Sequence, residues 1–275
     1  MSNENPWDSL DNMLDKLSCN DARNVPKICH HYPRRSSINF DENESMLKEL
    51  YDFQVRTYDD RTRTGIYIEG NLYWGPILED HPEIRYLAYL NKEIDDEVLT
   101  AIRSIRADDT LIFRGFSIRD RDSRAPESSY YFLDDLPSEE NVRPIVNYLK
   151  EWHSAGAPSL LTCCSAGMFR STVTALVAHS MITGNPMASA IRLVMAGNPF
   201  CGIDSNWEIA RIADPMLGFD GLLHAATLNV QRASIERSRL LKEGTTLEEL
   251  LNRLEKIFAN PWEEEQVLEY HKNHG

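Results

Sequence analysis

The segment that most constrains the fold is residues 158–184, in which a short apolar run, PSLLTCC, leads through the loop SAGMFR into the longer run STVTALVAHSMITG. The first run has the length of a buried strand. The second has the length of a helix and ends at Gly184, a residue typical of helix C-termini. Another helix is predicted directly upstream, in NVRPIVNYLKEWHSAG, which ends at Gly156. This alternation predicts an α/β fold with a central, mostly parallel sheet flanked by helices.

Hydrophobic spacing and turn residues assign the other segments. Towards the N-terminus they predict a loop at 24–37, a hairpin or two strands at 64–76, a helix at 94–105 and a strand at 110–116. The remaining predicted helices are 40–54, 186–197, 205–217, 224–244 and 245–258. Ser205 is the predicted cap of the helix at 205–217, and Thr246 with Glu249 forms a capping box. The acidic tail after residue 260 is predicted to fray.

The length of 275 residues suits one core domain with extensions. We predict a partly helical N-terminal extension at 1–56, a core domain at 57–235 and a C-terminal helical tail at 236–275. The tail helix carries apolar side chains at helical spacing, which most simply form a packing face that docks on the core. These side chains are Leu247, Leu250, Leu251, Leu254 and Ile257.

The net charge of −14 excludes several classes of partner. An acidic chain gains no counterion release on nucleic acid and is not attracted to anionic lipid, so we expect neither nucleic-acid nor membrane binding. The first residues, MSNENPWDSLDNML, lack the basic start and the long apolar stretch of a secretory signal, so we expect none. The sequence also has no run of the roughly 18 apolar residues that a membrane helix requires. Its five cysteines are irregularly spaced and form no disulfide framework, so the cytoplasm is the expected location.

The loop between the predicted strand and helix has the features of an anion site with a reactive thiol. Gly167 permits a sharp turn, which lets successive backbone N–H groups converge at a helix N-terminus. Arg170 stands at the start of that helix, and its planar guanidinium can hold two oxygens of one phosphate. Cys164 lies at the mouth of the loop, where the helix dipole and Arg170 favour its thiolate form. Such a thiolate is placed to attack phosphorus, and Ser171 can donate to the sulfur when it leaves.

The run from Cys164 to Ser171, CSAGMFRS, resembles the C-x5-R-[ST] signature of the cysteine-dependent protein tyrosine and dual-specificity phosphatases. Residues 128–225 also look like part of the small bacterial tyrosine-phosphatase-like proteins. The resemblance implies a tyrosine-phosphatase-like sheet, with Cys164 as nucleophile and Arg170 as a phosphate ligand. It further implies a phosphate-binding loop formed by Ser165, Ala166, Gly167, Met168, Phe169 and Ser171.

Members of this family use an upstream aspartate on a mobile loop as general acid. In YYFLDDLPSEE, Asp134 and Asp135 stand 30 and 29 residues before Cys164. We favour Asp135 as the acid, because the run after it resembles the way this loop enters the next helix in dual-specificity members. Asp134 is the alternative.

The resemblance implies hydrolysis of phosphate monoesters through a phosphocysteine intermediate, with phosphotyrosine, or phosphoserine and phosphothreonine as well, as substrate. The expected partner is a phosphorylated protein or a small phosphate monoester. Since the chemistry uses a thiolate, an arginine and an acid, we expect no metal ion and no other cofactor. Two other functions stay open, a phosphopeptide-binding module without turnover and a rhodanese-like sulfurtransferase. The C-x5-R spacing and the upstream aspartate stand against the sulfurtransferase.

Two positions depart from the family pattern. The residue before the nucleophile is usually a histidine that braces the loop, and here it is Cys163. Cys163 is either a plain buried thiol, which we favour, or a redox partner of Cys164, although a disulfide between adjacent residues is strained. Phe169 replaces a residue that is commonly small, and it either points into the core or narrows the pocket. Both departures leave room for a weak or inactive relative.

Four arginines precede the predicted acid loop, in RGFSIRDRDSRAP: Arg114, Arg119, Arg121 and Arg124. They either recognise a substrate phosphate at the pocket rim or belong to a solvated loop with interleaved aspartates. We favour the solvated loop.

Overall fold

A computed structural model describes residues 25–30, 45–70, 73–91, 94–107, 110–119, 136–197 and 203–274. Within these ranges the chain forms five strands and eleven helices. The strands are β1 (Lys27–His30), β2 (Gly65–Gly70), β3 (Tyr86–Tyr89), β4 (Ile112–Gly115) and β5 (Leu160–Cys164). The helices are α1 (Ser45–Asp59), α2 (Trp74–Asp80), α3 (Asp96–Ile105), α4 (Glu139–Ser154), α5 (Arg170–Thr183), α6 (Pro186–Ala196), α7 (Trp207–Leu217), α8 (Leu222–Leu228), α9 (Val230–Lys242), α10 (Leu247–Ala259) and α11 (Glu264–His274).

The strands make one sheet in the order β1-β2-β5-β3-β4, and every neighbouring pair is parallel. This confirms the predicted α/β fold with a central parallel sheet. All residues of β2 and of β5 are buried, as expected for strands that are covered on both faces. Because the strands are parallel, their carboxyl ends share one edge of the sheet. The end of the central strand β5 lies in the middle of that edge.

The two faces of the sheet pack against different helices. The larger core cluster holds Cys164 together with buried side chains of α1 and of most helices from α4 to α10. The smaller cluster holds Cys163, with Tyr67 and Leu161 from the sheet and Ile77 and Ile102 from α2 and α3. Successive residues of a strand point to opposite faces. The two adjacent cysteines are therefore separated by the sheet.

The edge strand β1 forms where a loop was predicted, so that prediction is wrong for residues 27–30. Its sequence KICH begins with a lysine that is only 1% exposed. Nζ of Lys27 donates to the carbonyl oxygen of Thr57 at 2.5 Å and also to that of Asp60. These hydrogen bonds compensate for the burial of the Lys27 ammonium group, which is unusual in a buried strand.

The segment 64–76 does not form the predicted hairpin or pair of strands. β2 is followed by α2, and β2 pairs in parallel with β1 and β5 instead of folding back on itself. The strand β3 was not predicted, because its four residues YLAY are too short to show a period. The predicted helix at 94–105 and the predicted strand at 110–116 are confirmed by α3 and β4.

The C-terminal helices follow the prediction with differences at their ends. Asn206, not Ser205, caps α7, since its side chain accepts from the backbone N–H groups of Glu208 and Ile209. The helix predicted at 224–244 is two helices, α8 and α9, which meet at Asn229. The tail expected to fray contains α11.

The packing role predicted for the tail helix is confirmed by α10. Its capping box of Thr246 and Glu249 is present. Its apolar side chains are buried in the larger core cluster, namely Leu247, Leu250, Leu251, Leu254 and Ile257. The domain boundary predicted between residues 235 and 236 falls inside α9. Among the described residues, no helix combines the length and the apolar character needed to span a bilayer.

Stability is expected to fall when the pH drops below the unfolded-state pKa of histidine, because His179 is fully buried. Its Nδ1 lies 2.8 Å from Oγ of Ser189, and burial lowers its pKa from 6.5 to about 3. Below pH 6.5 the unfolded chain binds a proton that the folded chain excludes, so unfolding is favoured. From pH 7 to pH 5 this residue should remove about 2 kcal/mol from the free energy of unfolding.

Urea unfolding at the two pH values measures this loss. The same loss should be smaller by about 2 kcal/mol in His179→Gln, whose side chain does not titrate. Equal losses in the wild type and the variant would contradict the assignment. His81 and His224, whose pKa values are also lowered by burial, are present in both proteins and cancel in the comparison.

Candidate functional site

The predicted loop connects the carboxyl end of the central strand β5 to the first residue of α5. The carboxyl edge of an open α/β sheet is the usual place for ligands. α5 has 14 residues, so its N-terminus also carries the positive end of a helix dipole. The local sequence dictates this arrangement, because an apolar strand and an apolar helix must both stay buried while the loop between them turns at the surface.

Cys164 is the last residue of β5, and it is only 1% exposed. Its Sγ lies 3.1 Å from Oγ of Ser171, which is itself fully buried in the first turn of α5. The backbone of Ser171 is held in turn by Oγ1 of Thr162, which donates to its carbonyl oxygen at 3.1 Å. A hydroxyl fixed beside the sulfur can donate to it, and such a bond stabilises a thiolate.

Arg170 is 5% exposed and is fixed by backbone carbonyls that follow β3 and β4. Its Nη1 donates to the carbonyl oxygens of Leu90, at 2.6 Å, and Ile118, at 2.9 Å. Its Nη2 donates to Oγ of Ser165 at 2.9 Å. The guanidinium therefore lies beside the loop, on the side of β5 where β3 and β4 lie.

Gly167 adopts a backbone conformation that other residues resist, with φ of 72°. It also lies against the end of β2. A Cβ atom at this position would be 2.8 Å from the backbone nitrogen of Gly70 and 2.9 Å from the carbonyl carbon of Glu69. Both the turn and the close contact therefore require glycine.

Gly167→Ala is expected to lower the free energy of unfolding by about 2–4 kcal/mol, the sum of the left-handed backbone and the overlap with Gly70. Gly184→Ala is the matched control, because Gly184 has φ of 66° but open space around the added Cβ. It should cost only about 1 kcal/mol. Urea unfolding of both variants checks the difference. Equal costs would show that the loop does not pack on β2 as described.

Cys163 is fully buried on the other face of the sheet. Burial raises the pKa of its thiol well above the usual range, so it stays protonated. Its Sγ lies 3.8 Å from the carbonyl oxygen of Cys164. Because the side chains of the two cysteines point in opposite directions, a disulfide between them would require β5 to rearrange. The geometry favours the plain buried thiol over the redox partner.

The other residues for which phosphate binding is predicted, Ser165, Ala166, Met168 and Phe169, lie in the loop between β5 and α5. Ser165, Ala166 and Met168 are exposed. Phe169 is half-buried, and its carbonyl oxygen accepts from Oγ1 of Thr172 at 2.7 Å and from the backbone N–H of Val173 at 3.2 Å. The two contacts fix the start of α5.

The predicted general acids, Asp134 and Asp135, lie outside the described residues, as do Arg121 and Arg124. The described chain resumes at Leu136, shortly before α4 begins at Glu139. Arg114 contacts the ring of Tyr148, 5.3 Å from its centre, and pairs with Glu151 at 3.3 Å on the surface. Arg114 therefore lies in strand β4 and not in a solvated loop, and its charge is paired with Glu151 of α4 instead of an interleaved aspartate.

Side chains from the carboxyl edge of the sheet also contact the loop and were not predicted to do so. Nε2 of His30, at the end of β1, lies 2.8 Å from the carbonyl oxygen of Gly167. Oγ of Ser165 donates to Oδ1 of Asn91, just after β3, at 2.8 Å. A sequence signal existed only for Asn91, which follows the apolar run YLAYL, because the ends of parallel strands meet at one edge of the sheet. His30 follows no such run, since β1 contains a buried lysine.

Within the described ranges, no group of three or more histidine, cysteine, aspartate or glutamate side chains could hold a metal ion. No protein-family model matches the sequence, and neither a curated protein nor a solved structure is significantly similar to the chain. Interpretation of the site therefore depends on its own residues and their geometry.

Proposed function

We propose that the chain is a cysteine-dependent phosphatase of the cytoplasm. It would hydrolyse phosphate monoesters, phosphotyrosine or phosphoserine and phosphothreonine as well, through a phosphocysteine on Cys164. One observation carries the proposal. The C-x5-R loop joins the central parallel strand to a helix N-terminus, with Sγ of Cys164 3.1 Å from Oγ of Ser171. The sequence pattern and the position of the thiol at the carboxyl edge of the sheet both support the proposal.

Binding of the phosphate would use groups that already surround the loop. Backbone N–H groups of the loop and the N-terminus of α5 attract an anion. Nη2 of Arg170, which donates to Oγ of Ser165 on the loop side, would be the nitrogen that binds a phosphate oxygen. Nη1 would keep its bonds to the carbonyls of Leu90 and Ile118 and so hold the guanidinium in place.

In the first step the Cys164 thiolate attacks phosphorus, so that a sulfur–phosphorus bond forms and the bond to the leaving oxygen breaks. Asp135 donates its proton to that oxygen, with Asp134 as the alternative. In the second step the same carboxylate takes a proton from water, which attacks phosphorus and releases the Cys164 sulfur. Ser171 donates a hydrogen bond to the departing thiolate. Acid–base catalysis of this kind contributes about 10²–10⁴-fold.

A phosphopeptide-binding module without turnover is the second candidate. The observation that favours it is the position of Cys163. The histidine usual at this place is missing, and the Cys163 side chain lies on the opposite face of the sheet from Cys164. Such a module would retain the anion site but lack a catalytically competent loop.

Hydrolysis of para-nitrophenyl phosphate decides between the two candidates. The proposal expects turnover by the wild type, which vanadate inhibits, and a loss of about 10²–10⁴-fold in Asp135→Asn. Asp134→Asn is the matched control and should retain most activity. Loss in Asp134→Asn alone would reassign the acid. No turnover by the wild type, with vanadate still bound, would sink the phosphatase and leave the binding module.

A further inference from the structure

His30 contacts the candidate phosphate-binding loop from a distant part of the sequence. It is the last residue of β1, and its Nε2 lies 2.8 Å from the carbonyl oxygen of Gly167, which is 137 residues away. We infer that His30 is a positioning residue that orients the loop for binding the phosphate oxyanion. The inference rests on the proposed function, but it concerns a residue outside the C-x5-R segment.

Because the peptide bond is planar, the contact between His30 and the Gly167 carbonyl also orients the N–H of the next residue. The carbonyl of Gly167 and the N–H of Met168 belong to one trans peptide and point in opposite directions. His30 holds the carbonyl towards β1, at one edge of the sheet. The N–H of Met168 therefore points away from His30, and we expect it to face an anion bound beside the Arg170 guanidinium, which Leu90 and Ile118 hold.

Gly167 is the residue of the loop at which such a restraint matters most. Glycine has the widest conformational freedom of all residues, so the peptide that follows it can rotate at little steric cost. A hydrogen bond donated by Nε2 of His30 to the Gly167 carbonyl opposes that rotation. The loop is then organised before the anion arrives, and preorganised N–H donors account for much of the catalysis in oxyanion sites.

The contact from His30 also offers a substitute for the histidine that usually precedes the nucleophile in the C-x5-R pattern. Cys163 occupies the position before the nucleophile, but its thiol is buried on the far face of the sheet and is a weak donor. It has no means of bracing the loop as an imidazole does. His30 supplies an imidazole from β1 instead, at the same carboxyl edge of the sheet.

Two replacements of His30 by side chains of similar size separate the effect of the donated hydrogen bond from the effect of packing. His30→Leu removes the donor, whereas His30→Gln keeps an N–H group at a comparable reach. Titration with inorganic phosphate should show an affinity about 10-fold lower in His30→Leu, and kcat for para-nitrophenyl phosphate should fall about 10- to 100-fold. His30→Gln should recover most of both. Cys29→Ala, a change in the same strand on its other face, should alter neither.

The outcomes distinguish this inference from the proposed function. If the wild type binds phosphate but does not hydrolyse the ester, the phosphatase proposal is wrong. The positioning role of His30 is then tested by the phosphate affinity of the His30 variants alone. If the wild type hydrolyses the ester and His30→Leu equals the wild type in both measurements, the inference alone is overturned. A His30→Gln protein as impaired as His30→Leu would also overturn it. If the wild type neither binds phosphate nor hydrolyses the ester, both proposals are wrong.

Discussion

Replacing Cys164 by serine is expected to lower kcat for para-nitrophenyl phosphate by about 10⁴-fold or more. A serine hydroxyl is a far weaker nucleophile than a thiolate at neutral pH. The substitution leaves the buried site almost unchanged in volume, so the loop and Ser171 should keep their positions. Vanadate or phosphate should therefore still bind to Cys164→Ser, as an independent titration would show.

Cys163→Ala provides the control for this experiment. The two cysteines are adjacent in the sequence but lie in separate core clusters on opposite faces of the sheet. Loss of the Cys163 sulfur should cost a small amount of stability and leave kcat close to that of the wild type. If Cys163→Ala were inactive while Cys164→Ser kept its activity, the nucleophile would be assigned to the wrong residue.

Arg170→Lys should have the second largest effect. Lysine keeps the positive charge, but a single ammonium does not reproduce the bonds of the planar guanidinium to Leu90, Ile118 and Ser165. We expect kcat/KM to fall by about 10²–10³-fold, the usual loss when a donor to a transition-state oxyanion is removed. The buried carbonyl oxygens that lose their donor should also lower the free energy of unfolding by about 1–3 kcal/mol.

Arg237→Lys is a matched control for that variant. Arg237 is also fully buried, and its Nη1 donates to the carbonyl oxygens of Val194 and Gly197, at the end of α6. Its replacement should cost a similar amount of stability and leave kcat/KM near the wild-type value. Equal losses of kcat/KM in the two variants would mean that Arg170 acts through folding alone and not through phosphate binding.

The sequence was sufficient to predict the part of the fold that is continuous along the chain. β5 and α5 are adjacent segments with strong apolar patterns, and Gly184 ends α5 in the left-handed conformation as expected. The short strands were harder to predict. β1 contains a lysine whose burial depends on the carbonyl groups of Thr57 and Asp60, which no local pattern reveals. β3 has only four residues, too few to show a period.

The candidate site could likewise be predicted only in part from the sequence. Cys164, Gly167 and Arg170 have a fixed spacing, which sequence alone can identify. The contact between His30 and Gly167 depends on the order of strands in the sheet, because β1 approaches the loop only when it pairs with β2. Sequence spacing also does not show that Cys163 and Cys164 belong to different core clusters. That follows from the structure, in which β5 is covered on both faces.

Trapping of the covalent intermediate tests the central claim most directly. The protein would be mixed with a radiolabelled phosphate monoester, quenched with denaturant within one turnover, and digested for peptide mapping. We predict that labelled phosphate is attached to the peptide that contains Cys164, and that Cys164→Ser carries no label. Turnover by the wild type without label on Cys164, or label that persists in Cys164→Ser, would contradict the assignment of this thiol as the nucleophile.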